Sequence, residues 1–163
     1  MKMKRVPQAA AMVAAAIQRL MLHDPAVVAA SHVGSSRYRE DYNDLDIAVL
    51  LHEGIDVQAW ADNYKAQGYT SCSHYADGGT DDEWTALRSS DLNLIAMTSV
   101  ARYHKTLLAD EVCKALDLKA KVDRIKVYHV VRDGASAEEA AVSSSLAMLR
   151  QPARVIYAEP WGL

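Results

Sequence analysis

The apolar positions change period several times along the chain. From Pro7 to His23 an alanine-rich apolar run is interrupted at helical spacing by Gln8, Gln18, Arg19 and His23. This predicts an amphipathic helix with Pro7 in its first turn, ended by Asp24-Pro25. AVVAASHVG (26–34) is a short apolar run closed by a glycine and predicts a buried strand, and residues 35–43 are polar and turn-like. DLDIAVLL (44–51) is the clearest strand of the chain, closed by His52 to Gly54. Over 57–69, Val57, Trp60, Ala61 and Tyr64 fall on one side of a helix stopped by Gly68. SCSHYAD (71–77) reads as a strand and DGGTDDE (77–83) as a turn-rich acidic loop. EWTALR (83–88) and LNLIAMT (92–98) read as two strands joined by Ser89-Ser90-Asp91. A long helix is expected over about 99–118. The β-branched content of 119–134 leaves helix and strand both open there. Ser136 and Glu139 have capping-box spacing and open a last helix to about Arg150, followed by a tail, 151–163, with two prolines.

This order predicts an α/β (α+β) protein, with helices packed on a mixed central sheet and a helical C-terminal part. The length of 163 residues fits about one domain over 1–163, with a core at about 26–98, helices at about 99–150 and the tail after them. Net charge is −3 and the isoelectric point about 6.0, which gives no global argument for nucleic-acid or membrane binding. The cations are unevenly spread, however, and Lys105, Lys119, Lys121, Arg124 and Lys126 make a basic stretch. It reads either as a solvated face or as a rim contacting a triphosphate or a nucleic acid. The two cysteines, Cys72 and Cys113, share no CxxC or Cys/His motif, so free thiols in a reducing cytoplasm are expected. No membrane span is expected, because no apolar run reaches about 18 residues. The six histidines have neither HxxxH nor HExxH spacing, although His32 precedes the Gly34-Ser35 turn and is placed to line a site there.

The chemistry concentrates in GSSRYREDYNDLDIAVLL (34–51). Alternation along the strand puts Asp44, Asp46, Ala48 and Leu50 on one face and Leu45, Ile47, Val49 and Leu51 on the other. Two adjacent carboxylates repel each other, and the arrangement calls for water or a cation. Carboxylate oxygens are the ligands that Mg²⁺ and Mn²⁺ prefer. At the other end of the stretch, Gly34 lets the backbone approach a ligand closely. The following N–H groups and the Ser35 and Ser36 hydroxyls can then cradle phosphates, with Arg37 and Arg39 to neutralise them. Tyr103 and Tyr128 are candidates for stacking on a base or for packing at the edge of the core.

Gly-Ser, a short connection and then Asp-x-Asp heading an apolar strand resembles the signature of the nucleotidyltransferase (DNA polymerase β-like) superfamily. The likeness covers roughly residues 26–98, and the C-terminal helices match loosely. It implies the nucleotidyltransferase fold, an enzyme that moves a nucleoside monophosphate from an NTP to an acceptor, and Mg²⁺ or Mn²⁺ as cofactor. Carried over, Gly34 and Ser35 hold phosphates, and Asp44 and Asp46 are catalytic metal ligands. The family often adds a third acid on a later strand as base. Here Asn93 stands near the expected position on DLNLIAMT, as in small phage-encoded members, and Asp91, on the same face, is the acid that would substitute.

The expected acceptor is an RNA end such as that of tRNA, a protein or a small molecule. The small size suggests, by analogy of fold, a phage-encoded protein or one paired with an antitoxin or host protein. Two other readings fit the same residues: a catalytically impaired nucleotide-binding or interaction module, and a metal-dependent phosphohydrolase.

Overall fold

The computed structural model describes residues 5–71, 84–90 and 92–149. Within them lie five strands, β1 (Val27–Val33), β2 (Leu45–Leu51), β3 (Thr70–Ser71), β4 (Trp84–Ser89) and β5 (Leu92–Met97). Five helices accompany them: α1 (Arg5–His23), α2 (Val57–Ala66), α3 (Val100–Ala115), α4 (Lys121–Val131) and α5 (Ala137–Leu149). The strands form one mixed sheet in the order β1-β2-β5-β4-β3. Only β2 and β5 run parallel; β1 pairs antiparallel with β2, and β4 antiparallel with both β5 and β3. A parallel pair needs a long crossover, and α2, β3 and β4 fill the chain between β2 and β5.

The interior strand β2, between β1 and β5, is buried at every position, and its alternation serves two cores. Leu45, Ile47, Val49 and Leu51 pack with Val13 of α1, Val57 and Trp60 of α2, and Leu94 of β5. Ala48 and Leu50 pack with Val33, Ile95, Met97 and Tyr103 on the α3 face. The strand face that begins with two aspartates is therefore apolar from Ala48 onward, and the acids sit at its open end. On the opposite face Asp24 ties α1 to α2. Its carboxylate accepts from the Ala26 N–H at 3.0 Å, the Trp60 indole N–H at 2.8 Å and the Tyr64 hydroxyl at 2.6 Å.

The helix ends follow the expected chemistry. The Asp56 carboxylate accepts the N–H groups of Gln58 and Ala59 at the start of α2, and Ser99 accepts that of Arg102 at the start of α3. Gly68, with φ of 104°, lies just past α2. Ser136 and Glu139 form the capping box: the Glu139 N–H donates to Ser136 Oγ at 3.1 Å and the Ser136 N–H to Glu139 Oε1 at 3.4 Å. The open segment 119–134 resolves as helix α4, with Ile125 its fully buried residue. Packing between α3 and α5 outweighs the weak strand propensity of its valines. Of the strand expected at 71–77, Ser71 alone lies among the described residues; it pairs with Leu87, and Thr70 before it pairs with Arg88. Residues 72–77, the loop 77–83, Asp91 and the tail 151–163 lie outside the described residues.

Leu94 is fully buried between both neighbours of β5, whereas Leu108 on α3 is 57% exposed. Leu94→Ala is expected to lower unfolding free energy by about 2–5 kcal/mol and Leu108→Ala by at most about 0.5 kcal/mol. Urea unfolding of both variants checks this.

Candidate active site

Strand register builds the site. Val33 of β1 pairs with Asp46 of β2, Asp46 with Asn93 of β5, and Asn93 with Arg88 of β4. These side chains form a row across one end of the sheet, with Asp44 just before it. Asp44 is 8% exposed, Asp46 7% and Asn93 2%. The Asn93 amide N–H donates to Asp46 Oδ1 at 2.8 Å. Arg88 Nη1 lies 3.7 Å from Asp44 Oδ2, and Arg88 Nε donates to the Ser90 carbonyl at 2.9 Å. The Asn93 Oδ1 is buried with no hydrogen-bond partner among the described residues.

Gly34 is fixed against this row. Its φ of 86° and ψ of 178° lie in a region that essentially only glycine adopts. A Cβ at this position would stand 2.3 Å from Asp46 Oδ2. The bare Cα is thus the floor on which the Asp46 carboxylate rests. Ser35 to Arg37 then form a single 3-10 turn. The Ser36 hydroxyl is fully buried and sits 2.7 Å from His32 Nε2. Burial, helped by the nearby Arg37 charge, lowers the His32 pKa to about 4, so the ring is neutral at pH 7.

The turn is held from below by Asp110 of α3, a residue the sequence reading missed. Asp110 is 1% exposed and its Oδ1 accepts the Gly34 N–H at 2.7 Å and the Tyr128 hydroxyl at 3.2 Å. Arg37 donates to the other oxygen and to Glu111, so its guanidinium is committed to α3. Burial raises the Asp110 pKa against the pull of these donors. Burial, then the charge of Asp110, pushes the Cys113 thiol up to about 12, which removes it as a thiolate nucleophile. A signal for Asp110 does exist in the sequence. Tyr103, Thr106, Asp110 and Cys113 are all buried and recur at helical spacing, so an acid stands on the inward stripe of α3.

Tyr103 is buried, and Tyr128 is half-buried with its hydroxyl tied to the interior. Tyr128 bonds to Asp110, and the hydroxyl of the buried Tyr103 lies 2.5 Å from Ser31 Oγ.

Ser35 and Asp44 open on a cleft of about 610 Å³, whose far wall is the α3–α4 connection and the start of α4, where Lys119, Lys121 and Arg124 stand among Asp117 and Asp123 and Lys119 pairs with Asp41 at 3.2 Å. Arg39 also lines it and is ion-paired with Asp41 and Asp117, both at 2.8 Å. Lys105 and Lys126 do not line it, so the basic stretch divides into cleft and non-cleft members. A larger cavity, about 980 Å³, lies between α1 and α2 beside Trp60 and Tyr64 and contains none of the candidate residues.

No group of three or more His, Cys, Asp or Glu side chains that could hold a metal occurs among the described residues. Asp44, Asp46 and Asn93 share one end of the sheet, where the Asn93 amide N–H meets Asp46 and the Asn93 Oδ1 is left without a partner among the described residues. Their carboxylate and amide oxygens are hard donors, in kind suited to Mg²⁺ or Mn²⁺. Asp91, expected beside them, lies outside the described residues. No helix among the described residues is long and apolar enough to cross a membrane.

Gly34→Ala is expected to cost about 1–3 kcal/mol from backbone strain and to push Asp46 off its seat, which urea unfolding reads directly. His32 gives a pH test. The unfolded ring takes its proton near pH 6.5 and the folded one only near 4. The unfolded chain therefore binds more protons between these values, and stability falls as pH drops from 6.5 toward 4. After discounting for partial exposure, the loss is of order 1–2 kcal/mol. His32→Gln should flatten unfolding free energy in this window; an unchanged slope would assign the dependence to another group.

No family model matches the chain, and no curated protein matches it. Among solved structures it is similar to the crystal structure of conserved protein GrpB from Enterococcus faecalis. That likeness has 13% identity and a TM-score of 0.42, and covers 90% of this chain and 94% of that one. It is too weak to carry a functional argument, which rests on the site itself.

Proposed function

We propose that the protein is a metal-dependent nucleotidyltransferase of the DNA polymerase β-like fold, acting in a reducing cytoplasm. The observation that carries this reading is the Asp46 carboxylate seated against Gly34 of the Gly34-Ser35 turn, with Ser35 and Asp44 lining a cleft whose walls carry both cations and carboxylates. A phosphate-binding turn and an acid pair in direct contact can act on one phosphoryl group.

Lys119, Lys121 and Arg124 attract the triphosphate into the cleft, and Ser35 contacts its phosphates. Asp44 and Asp46, with the Asn93 carbonyl, would hold Mg²⁺ or Mn²⁺. When bound, the cation polarises the phosphoryl oxygens and offsets charge building on them. The acceptor oxygen attacks the α-phosphorus, the bond from that phosphorus to the bridging oxygen breaks, and pyrophosphate leaves. The acceptor hydroxyl proton passes to a carboxylate base, for which Asp91 is the candidate by its place in the sequence. Ser36, Arg37 and His32 shape the turn and do not touch the nucleotide. The acceptor classes we propose are an RNA end, a protein or a small molecule.

A second reading has its own observation. The amide of Asn93 occupies the row position beside Asp46 where the resemblance implies an acid. It favours a nucleotide-binding module with impaired catalysis.

Incubation with each α-labelled NTP, Mg²⁺ or Mn²⁺ and fractionated lysate separates the two. Nucleotidyl transfer puts label in the RNA, protein or small-molecule fraction, and Asp44→Asn with Asp46→Asn reduces it about 100-fold or more. An NTP-dependent rise in melting temperature without label transfer supports the impaired binder. Label transfer that survives the double substitution overturns the assignment of the acid pair.

A further inference from the structure

We infer that Arg39 and Lys119 are polyphosphate contacts of the cleft, and that Asp41 and Asp117 latch them until phosphate oxygens displace the two carboxylates. This rests on the proposed reading of the cleft as a triphosphate site. It goes beyond that reading by naming two contacts and the internal groups that compete for them.

The argument begins with how two distant connections meet. Residues 38–41 follow the Gly34-Ser35 turn, and residues 117–119 join α3 to α4. Arg39 Nη1 donates to Asp117 Oδ1 at 2.8 Å and to the Asp117 carbonyl at 3.4 Å. The same guanidinium forks onto Asp41, with Nε donating to Oδ1 at 2.8 Å and Nη2 to Oδ2 at 3.4 Å. Lys119 Nζ lies 3.2 Å from Asp41 Oδ2. Asp117, Arg39, Asp41 and Lys119 thus alternate in charge along one chain of ion pairs. All four line the cleft that Ser35 and Asp44 also line.

The energetics mark these pairs as exchangeable. The side chains of Asp117 and Lys119 are 70% and 73% exposed, and pairs in that setting are weak and screened by salt. The Tyr38 hydroxyl, which donates to the Leu118 carbonyl at 3.0 Å, joins the two connections without them. Arg37 is the contrast within the same segment. It is held by the buried Asp110, which also holds the turn, so it is not free to change partner. A guanidinium fork fits phosphate oxygens as well as carboxylate oxygens. Hydrogen bonds from Arg39 bring the Asp41 carboxyl down to about 2, so Asp41 competes as an anion at neutral pH. A triphosphate carries more negative charge than either carboxylate and reaches both cations at once. It therefore takes the place of the two acids, one on each side of the cleft.

Inorganic tripolyphosphate probes this without a base and without turnover. The whole chain is titrated with it by calorimetry, with Mg²⁺ present and ionic strength fixed. Asp41→Asn/Asp117→Asn is expected to bind about three- to tenfold more tightly than the unaltered chain, the range set by two exposed pairs. Asparagine preserves the size of both side chains and suits the φ of 49° at position 117. Arg39→Gln should weaken binding about tenfold, as loss of a charged hydrogen-bond donor does. Beside Arg39→Gln, Asp117→Asn should give no gain, because no cation is left for it to release.

Equal affinity in Asp41→Asn/Asp117→Asn and the unaltered chain overturns the latch. A gain from Asp117→Asn that persists beside Arg39→Gln also overturns it, since that gain is repulsion at a distance. Unchanged affinity in Arg39→Gln removes Arg39 as a phosphate contact. Each of these results leaves the nucleotidyltransferase reading standing, because label transfer tests that reading separately. Failure of every one of these chains to bind tripolyphosphate overturns both the inference and the use of this cleft for a triphosphate. If Asp117→Asn does not fold, Asp41→Asn is read in the same way, alone and beside Arg39→Gln/Lys119→Gln.

Discussion

The contact of the Asp46 carboxylate with the bare Cα of Gly34 organises one whole end of this molecule. It joins β2 to the turn after β1 at a distance that no other residue permits. Gly34 must also adopt a backbone conformation closed to side-chain-bearing residues. Sterics and conformation thus select the same residue independently. The consequence is geometric: whatever Ser35 and its neighbours bind is held beside the acid pair. Neither the turn nor the acids could move by an ångström without disturbing the other.

A turn strained in this way needs a counterweight, and Asp110 supplies it from α3. A carboxylate 1% exposed is expensive to bury unless its oxygens are occupied. Here the Gly34 N–H, Arg37 and the Tyr128 hydroxyl occupy them. These donors come from the β1–β2 connection and from α4, so one buried acid draws three parts of the chain together. Their convergence is what closes the α3–α4 connection over the Gly34-Ser35 turn and makes a cleft there. Lys119, Lys121 and Arg124 reach the cleft because α4 is anchored beneath it.

The parts of this arrangement that were legible in the sequence are those with a short period or a short range. The alternation in 44–51, the glycine before Ser35, the capping box at Ser136 and the stop at Gly68 all act within a few residues. They placed β2 and the acid pair correctly. What was not legible depends on partners far along the chain. Arg37 reads as a phosphate ligand until Asp110, 73 residues later, claims it. Ser36 reads as a second cradle hydroxyl until His32 is seen facing it inside the fold. Tyr103 and Tyr128 read as either stacking or core-edge residues until their hydroxyls are seen to bond Ser31 and Asp110 within the fold. Arg88 carried no sign of belonging to the site, because only the antiparallel register of β4 with β5 brings it to Asn93. Segment 119–134 stayed ambiguous because β-branching argues for strand, while its packing between two helices is a tertiary fact.

Asn93 shows how stability and chemistry are balanced in such a row. Three carboxylates at successive positions of a buried sheet end would repel one another strongly whenever no cation was bound, and the folded state would depend on metal. An amide at the third position removes that dependence, because its N–H stabilises Asp46 in the cation-free protein. The same choice leaves a carbonyl oxygen without a donor, a smaller penalty than an unpaired charge. Arg88 acts in the same sense, offsetting negative charge at Asp44 from 3.7 Å. The side chains at positions 88 and 93 therefore hold this sheet end in shape with a hydrogen bond and an opposite charge in place of further acids.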